Sequence, residues 1–304
     1  MTTSGAEPPG VEPSDAWWRR AILRWGAQHR RGLPWRATRD PWLVLVSEVM
    51  LQQTQASRVI EPFHRFVDRF PTPSACASAG PGEVVRQWAG LGYNRRALNL
   101  HRSAVRVVER NGGRIPADLA GLLELPGVGP YTARAVLSFA FEIDVGVVDT
   151  NVGRLLARAV VGRSLSAAEA QALADDLVPV GQGWAYNQTL FDLGARYCTA
   201  RAPECAACPL GRRCRWRAAG SPLPDPARSS AGTARRQAPF AGSDRQGRGR
   251  IVAALRSGPV ALGDVAGVAG WPEQPERARR VAGELVEEGL ACRVGNERLA
   301  LAGA

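Results

Sequence analysis

Lysine does not occur anywhere in this 304-residue chain. Its 39 basic side chains other than histidine are therefore all arginines, set against 28 acidic residues. Catalysis through a Schiff base on a lysine amine is thereby excluded. Arginine stays protonated and grips phosphate through two N–H groups at once, so the net charge of +11 favours a polyanionic partner, with nucleic acid ahead of an anionic membrane. A charged surface kept only for solubility is the alternative.

Long hydrophobic runs are also missing. No apolar segment approaches the roughly 20 residues that a membrane-spanning helix needs. The first residues, MTTSGAEPPGVEPSD, have neither the basic start nor the hydrophobic stretch of a signal peptide. We expect residues 1–14 to form a disordered tail, and we expect no attachment to a membrane.

Strand-like alternation is scarce, and helical periodicity dominates the first 217 residues. Ser14 and Asp15 are candidate caps of a first helix in which Trp18, Ile22 and Trp25 share one face. A second helix carries Glu48, and further helices are predicted at about 55–70, 82–89, 95–110, 118–124, 130–140, 151–161, 167–177 and 185–196. The sequence therefore predicts an all-α fold.

The C-terminal part differs in composition. Residues 218–247 are rich in Pro, Gly, Ser and Arg and are predicted to be a linker. Three short helices are expected after it, at about 248–257, 262–269 and 276–288, followed by a hairpin around Gly295-Asn296. Because three helices and a hairpin outline a winged helix, we expect residues 248–304 to form a winged-helix-like module.

Four of the six cysteines cluster as Cys198-x6-Cys205-x2-Cys208-x5-Cys214. Four thiolates this close in sequence are able to surround one tetrahedral metal ion or one iron–sulphur cluster. Structural zinc more often uses two separate C-x2-C pairs, and this segment has only one, so the spacing favours a cluster.

A carboxylate occupies an unusual position in the stretch SEVMLQQT. Glu48 follows an apolar run at residues 42–46 and, on a helix, shares a face with Leu45 and Gln52. The sequence has no basic residue within one turn of it. Burial of such an acid raises its pKa, which suits a group that donates a proton.

A second carboxylate, Asp149, ends the apolar run in VGVVDTNVGRLLARAV, where a helix is predicted to begin. This position is typical of a helix N-cap, and an acid there stays ionised. Capping and catalysis are compatible. One proton donor and one ionised carboxylate are what glycosidic cleavage requires.

The segment LPGVGPY, from Leu125 to Tyr131, joins two predicted helices. Gly127 and Gly129 permit a tight turn and a close backbone approach, and Pro130 suits the first helical position. Exposed N–H groups at such a helix start hold phosphate, and Arg134 and the pair Arg95-Arg96 supply basic surroundings. A plain turn between helices is the alternative.

Together with GLGY, VVDTNV, NQTLFDLGA and the cysteine spacing, these motifs resemble the helix-hairpin-helix DNA glycosylases that carry an iron–sulphur cluster, most of all the MutY-type adenine glycosylases. The similarity extends from about Leu33 to Arg217. It implies a two-lobed fold with a [4Fe–4S] cluster on Cys198, Cys205, Cys208 and Cys214. It also implies a cluster domain at residues 15–33 and 140–217 and a helical domain with the hairpin at residues 34–139.

The resemblance implies a role for each matching residue. Glu48 would protonate a flipped adenine at N7, and Asp149 would stabilise the resulting sugar cation. Gln188 would read the adenine edge. The other positions implied in base or DNA contact are Trp35, Arg36, Gln53, Thr54, Tyr93, Gly127, Gly129, Tyr131 and Asn151, of which Trp35 and Arg36 line the base pocket and Gln53 and Tyr93 enter the duplex.

Tyr131 stands where bifunctional relatives resembling endonuclease III place a lysine that cuts the strand. The expected enzyme is therefore a monofunctional glycosylase of base excision repair, a cytoplasmic, nucleoid-associated bacterial monomer. It would remove adenine mispaired with 8-oxoguanine or guanine in double-stranded DNA. The alternatives are a thymine or uracil mismatch glycosylase of the same superfamily and a non-catalytic iron–sulphur DNA-binding regulator.

The C-terminus departs from the pattern of the best-known MutY-type relatives. They carry a Nudix-like domain that recognises 8-oxoguanine, whereas residues 248–304 are too few for it and show no acidic Nudix signature. Either the small module performs that recognition in another way or discrimination for the lesion is weaker.

Overall fold

The structure is a computed structural model that describes residues 14–230 and 239–303. The first thirteen residues of the expected tail and residues 231–238 of the expected linker lie outside these ranges. The described parts of Met1–Gly32 and Leu137–Arg235 form one compact unit, the first unit, and those of Leu33–Val136 and Arg236–Ala304 form the second unit. No helix in the described ranges is long and apolar enough to cross a membrane.

The described chain is mostly helical, with 58% of residues in helices and few strands, which confirms the predicted fold class. In chain order the helices are α1 (Ser14–His29), α2 (Pro41–Leu51), α3 (Ala56–Arg69), α4 (Pro73–Ser78), α5 (Pro81–Gln87), α6 (Arg95–Asn111), α7 (Leu119–Leu123), α8 (Pro130–Phe139), α9 (Thr150–Leu155), α10 (Ala167–Leu177), α11 (Gly183–Arg196), α12 (Arg215–Ala218), α13 (Asp244–Ser257), α14 (Val265–Ala269) and α15 (Pro275–Glu287). The strands are β1 (Val260–Ala261), β2 (Ala291–Val294) and β3 (Arg298–Leu301).

Every helix predicted from the periodicity is present, with two differences. The short helices α4 and α12 were not predicted. The segment expected to be one α-helix over residues 151–161 is α-helical only as α9 and continues as a π-helix at Leu156–Val161. The wider turn places an extra residue in the helix, a feature that often accompanies functional sites.

The core of the first unit forms where α1 packs on α11. Trp18 and Ile22 are buried against Tyr186, and the Trp18 indole N–H donates to the Tyr186 hydroxyl at 2.8 Å. Gly26 permits this close approach, because a Cβ there would lie 2.0 Å from the hydroxyl oxygen of Thr189. The face of α1 predicted from Trp18 and Ile22 is thus the buried one.

The N-terminal part of the second unit is held by aromatic side chains. Phe66, Phe70 and Trp88 stack edge to face, and the Trp42 indole N–H donates to the Phe70 carbonyl at 2.9 Å. Asp40 caps α2 by accepting from the backbone N–H groups of Trp42 and Leu43. These contacts fix α2 in a buried position.

The C-terminal elements have the expected three helices and hairpin, with β1 as an additional strand. The antiparallel sheet has the order β1-β3-β2, and Ala291 pairs with Leu301. Arg256 of α13 donates to the Val85 carbonyl at 3.0 Å and to Asn94 Oδ1 at 2.7 Å. The C-terminal elements therefore pack within the second unit; the domain boundaries expected from the sequence stay predictions.

Candidate active site and cysteine cluster

Glu48 lies in the last two turns of α2 and is 4% exposed. Its neighbours along the helix from Val44 to Met50 are all buried as well. The apolar run before Glu48 explains this burial, since it lets α2 pack on all sides. The structure thus places this carboxyl group inside the protein rather than at its surface.

Arg96 closes the end of α2 and was not singled out as a positioning residue by the sequence. Its guanidinium donates to the carbonyls of Val49, Met50 and Gln52 at 2.9, 2.8 and 2.6 Å, and also to Thr54 Oγ1, Leu91 O and Gly92 O. Burial lowers the pKa of Arg96 to about 10. Arg96, which the sequence interpretation named among the basic surroundings of the 125–131 turn, thus directs both of its Nη groups at acceptors within the protein.

Gln53 and Tyr93 lie on the two loops that Arg96 joins. Both have positive φ, 55° for Gln53 and 45° for Tyr93. Residues other than glycine rarely adopt this backbone conformation. Tyr93 is 44% exposed, and Gln53, Thr54 and Tyr93 line one cavity of the second unit. The structure therefore brings three of the predicted DNA-contacting residues together.

The predicted hairpin turn lies between α7 and α8. Gly127 has φ of 81°, and a Cβ there would come within 2.9 Å of the Asn99 side chain, so glycine is required. Gly129 has open space where a side chain would be, and Pro130 and Tyr131 begin α8. Gln52 Nε2 reaches the Gly127 carbonyl at 3.4 Å, which ties the turn to the end of α2.

Trp35 and Arg36 lie in a 3₁₀ turn at Pro34–Arg36 that precedes α2. Both are buried, and Trp35 packs edge to face on Phe63 with ring centroids 5.6 Å apart. Trp35 is thus held by the α3 helix and presents little surface of its own.

Asp149 is the N-cap of α9 in the first unit. Oδ1 accepts from the N–H groups of Asn151 and Val152 at 2.8 and 2.7 Å, and Oδ2 accepts from Asn151 Nδ2 at 2.8 Å. Burial raises the pKa of the Asp149 carboxyl, and these hydrogen bonds and the charge of Arg154 oppose the rise without cancelling it. The sequence expectation of ordinary ionisation at a helix start omitted the cost of desolvation.

Asn151 and Arg154 connect Asp149 to the cysteine segment. Arg154 Nη2 donates to Asn151 Oδ1 at 2.7 Å, and Arg154 Nε donates to the Cys198 carbonyl at 3.0 Å. Gly194 of α11 lies against Asn151, where a Cβ would come within 2.8 Å. Arg154 is a residue that the sequence reading missed; the available signal was an arginine placed among Val152, Leu155 and Leu156 on the predicted helix.

Gln188 lies on α11 and is 4% exposed. Its neighbour Asn187 donates to Ser138 Oγ at 3.0 Å and to the Val145 carbonyl at 2.9 Å, and accepts from the Val147 N–H at 3.2 Å. Asn187 thereby fixes the chain that leads to Asp149.

The predicted site residues are divided between the two units. Those from Trp35 to Tyr131, including Glu48, belong to the second unit. Asp149, Asn151, Gln188 and the four cysteines belong to the first.

The four cysteines line one small cavity of the first unit, together with Leu155, Leu210 and Trp216. Burial raises the pKa of Cys198 and Cys214, and that of Cys208 to about 11. Among the described residues no group of three or more His, Cys, Asp or Glu side chains is arranged to hold a single metal ion. The donor set of four thiols facing one apolar cavity fits the chemistry of an iron–sulphur cluster.

Arg158 and Asp225 form a buried ion pair beside this cavity. Arg158 Nε and Nη2 donate to the two carboxylate oxygens of Asp225 at 3.0 and 2.5 Å, and Nη1 donates to Cys198 Sγ at 3.4 Å. Hydrogen bonding to Arg158 lowers the pKa of Asp225. Sequence reading missed both residues, because Asp225 lies in a Pro-rich stretch whose composition is typical of a linker.

The chain is similar in sequence to known DNA repair proteins. A family model described as HhH-GPD superfamily base excision DNA repair protein matches residues 46–179. A protein of Mycolicibacterium smegmatis named adenine DNA glycosylase is 44% identical over 289 residues, which are 93% of this chain and 95% of that protein. The chain belongs to the HhH-GPD superfamily of base excision DNA repair proteins. This confirms the resemblance on which the sequence interpretation rests.

Two further relatives agree with this membership. An adenine DNA glycosylase of Mycobacterium tuberculosis is 41% identical over 290 residues, 93% of this chain and 92% of that protein. The solved structure of a thermostable thymine-DNA glycosylase superposes with a TM-score of 0.62 at 30% identity, covering 66% of this chain and 95% of that one. The two mycobacterial relatives thus match nearly the whole of this chain, whereas the thymine-DNA glycosylase matches about two thirds of it.

Proposed function

We propose that this protein is a monofunctional DNA glycosylase that removes adenine mispaired with 8-oxoguanine or guanine in double-stranded DNA. The observation that carries the proposal is the relative named adenine DNA glycosylase that matches 93% of the chain. The buried acid on α2, the Asp149 cap and the buried amide of Gln188 support it. We further propose that the protein acts as a monomer on the bacterial nucleoid.

Glu48 is proposed as the proton donor. As a carboxylic acid it would transfer its proton to N7 of adenine, which makes the base a neutral leaving group. The bond between C1′ and N9 then breaks with its electron pair going to the base. Gln188 is proposed to bind the edge of the adenine, and Trp35 and Arg36 to line its pocket.

Asp149 is proposed to stabilise the sugar cation left at C1′ until water adds to it. The three N–H donors on its carboxylate fix the group at the start of α9, so little reorganisation is needed as the positive charge develops. The absence of lysine excludes a lysine-dependent strand cut after base release. Gln53, Thr54, Tyr93, Gly127, Gly129, Tyr131 and Asn151 are proposed to contact the DNA.

The four cysteines are proposed to hold a [4Fe–4S] cluster. When bound, the cluster would supply a rigid cross-link between residues 198 and 214. Protein purified without oxygen should contain about four iron and four sulphide per chain by chemical analysis, with visible charge-transfer absorption. One zinc per chain and no iron would refute the assignment while leaving the proposed base release to be judged separately.

The test of function is base release under single-turnover conditions. Duplexes would carry adenine opposite 8-oxoguanine or guanine, and thymine or uracil opposite guanine, each analysed with and without alkali. We expect adenine release, with strand breaks only after alkali. A Glu48→Gln protein should bind the same duplex and release no adenine.

A thymine or uracil mismatch glycosylase is the second candidate, favoured by the structural similarity to a thymine-DNA glycosylase. Release of thymine or uracil and not of adenine would establish it and would remove the proposed role of Gln188. DNA binding without release of any base would instead support an iron–sulphur DNA-binding regulator.

A further inference from the structure

A groove on the surface of the first unit follows α1 and takes no part in the proposed base release. This groove, here called the α1 groove, encloses about 340 Å³ and is lined by Trp17, Arg20, Arg24, Trp25 and Gln28 of α1 and by Pro209, which follows Cys208. From Trp17 to Gln28 the helix extends about 16 Å, which matches about five residues of an extended chain. The α1 groove therefore has the length of a short peptide segment.

The positive charge of the α1 groove is not neutralised within the described chain. Arg20 and Arg24 are exposed and lie one helical turn apart, and neither forms an ion pair with another described residue. Arg19, by contrast, donates to the carbonyls of Asp176 and Leu177. Among the described residues, those that line the groove include no acidic side chain. Because like charges one turn apart destabilise a helix, an anionic partner would stabilise this surface.

The two tryptophan rings of the groove already have partners on their faces. The Arg213 guanidinium lies 4.8 Å from the centre of the Trp17 ring, and His29 stacks on Trp25 with ring centroids 5.0 Å apart. Both rings also pack against the core of the first unit. Since a base stacks on an open ring face, these contacts disfavour nucleic acid as the occupant. The half-buried rings instead offer apolar surface to an aliphatic or aromatic side chain.

We propose that the α1 groove binds a short acidic segment of a partner protein. An apolar side chain of that segment packs against Trp17 and Trp25, and its carboxylates pair with Arg20 and Arg24, since arginine binds a carboxylate through two parallel N–H groups. The net charge of +11 on this chain disfavours a second copy as the occupant. The inference goes beyond the proposed function and does not depend on it, because no residue of the groove has a role in base release.

The test uses the full-length protein, purified without oxygen, and fluorescein-labelled peptides of the sequence Gly-Glu-Asp-X-Asp-Glu-Gly, with Phe, Leu, Trp or Ser at X. Fluorescence anisotropy should show saturable binding that weakens as salt is added. The tightest of the three apolar peptides should bind about tenfold or more tightly than the Ser peptide, because its side chain is buried.

Variants of the exposed arginines locate the binding site. Arg20→Gln and Arg24→Gln should each weaken binding of the apolar peptides by about threefold or more. Arg212→Gln makes the same change of charge at an exposed position that does not line the groove, and it should leave the affinity as in the parent protein. If an arginine variant lowers the melting temperature, Gln28→Glu decides, since it adds a repelling carboxylate to the groove at an exposed helical position.

Three results would overturn the proposal. The first is the absence of saturable binding to any of the peptides. The second is an equal loss of affinity in Arg212→Gln and in the groove variants, which would show that binding follows net charge alone. The third is a single-stranded oligothymidylate that binds and loses affinity in Arg20→Gln and Arg24→Gln while the peptides do not, which would assign the groove to nucleic acid. Adenine release should be as in the parent protein in both arginine variants, so each proposal is judged separately.

Discussion

At the scale of single residues, Asp149 depends on the groups that surround it. Two backbone N–H groups and one side-chain amide converge on a carboxylate whose pKa is raised by burial. An Asp149→Asn protein keeps the size of the side chain and one acceptor oxygen but loses the negative charge. We expect single-turnover adenine release to fall by about 10³-fold or more, as for loss of a preorganised electrostatic group. Duplex affinity should be retained; Asp176→Asn, at an exposed position, is the matched control.

Asn151 gives a prediction of pH dependence. Its side chain donates to Asp149 and thereby lowers the pKa of that carboxyl against the effect of burial. Because the proposed role of Asp149 requires its ionised form, the rate should fall as pH drops through its pKa. Asn151→Ala removes one donor, so the acidic limb of the rate profile should move to higher pH. Thr150→Ala, at an exposed neighbour, should leave the limb in place; an unmoved limb in Asn151→Ala would contradict the role given to this amide.

The Arg158–Asp225 pair is a residue-scale determinant of stability. Arg158 is 2% exposed, and loss of its carboxylate partner leaves a buried charge, which typically costs about 3–5 kcal/mol. Asp225→Asn should therefore lower the free energy of unfolding by that order in urea denaturation. Since the pKa of Asp225 is lowered in the fold, the contribution is present above the unfolded-state pKa and is lost as pH falls through the folded-state value. The two proteins should thus converge in stability in acid, and a constant difference would count against the pair.

At the scale of elements, Arg96 joins the end of α2 to the loop before α6. Removing it leaves several carbonyls without donors, each worth roughly 1 kcal/mol or more when buried. We expect Arg96→Met to lower the unfolding free energy by about 3 kcal/mol. It should also slow base release, because the loops that carry Gln53 and Tyr93 lose the hydrogen bonds that hold them. Arg95→Met, at the exposed neighbouring position, should change stability by about 0.5 kcal/mol or less. If Arg96→Met were as stable as the wild-type protein, the hydrogen bonds of Arg96 would not be needed to hold these loops.

The elements were largely predictable, and the contacts that position the site were not. Periodicity located α3, α6, α10 and α11 because each has a continuous apolar face over three or more turns. Helix α4 has only six residues, too few for a period to be recognised. Arg96 and Arg158 donate mainly to backbone carbonyls and to one carboxylate. Most of these acceptors lie 40 or more residues away in the sequence, so no local sequence pattern predicts the contacts. Glu48 and Asp149 could be proposed from the sequence because Glu48 follows an apolar run and Asp149 ends one.

At the scale of the whole molecule, the all-arginine charge should govern DNA affinity. Each phosphate that an arginine neutralises releases about 0.9 of a counterion from duplex DNA, so log Kd should rise linearly with log salt. Replacing one phosphate-contacting arginine should reduce that slope by about one. The slope should be measured for Arg95→Gln, at the exposed start of α6, by fluorescence anisotropy from about 50 to 300 mM salt, a roughly sixfold range. If the slope of log Kd against log salt is unchanged, Arg95 does not contact a phosphate.

The packing of α1 on α11 has a consequence for biosynthesis. Trp18 and its partner Tyr186 are separated by 168 positions, so the N-terminal helix leaves the ribosome long before its binding partner exists. The intervening Leu33–Val136 segment emerges in between, and the four cysteines follow only after α11. The Trp18 and Ile22 face of α1 therefore stays without its α11 partner until residues 183–196 have been synthesised.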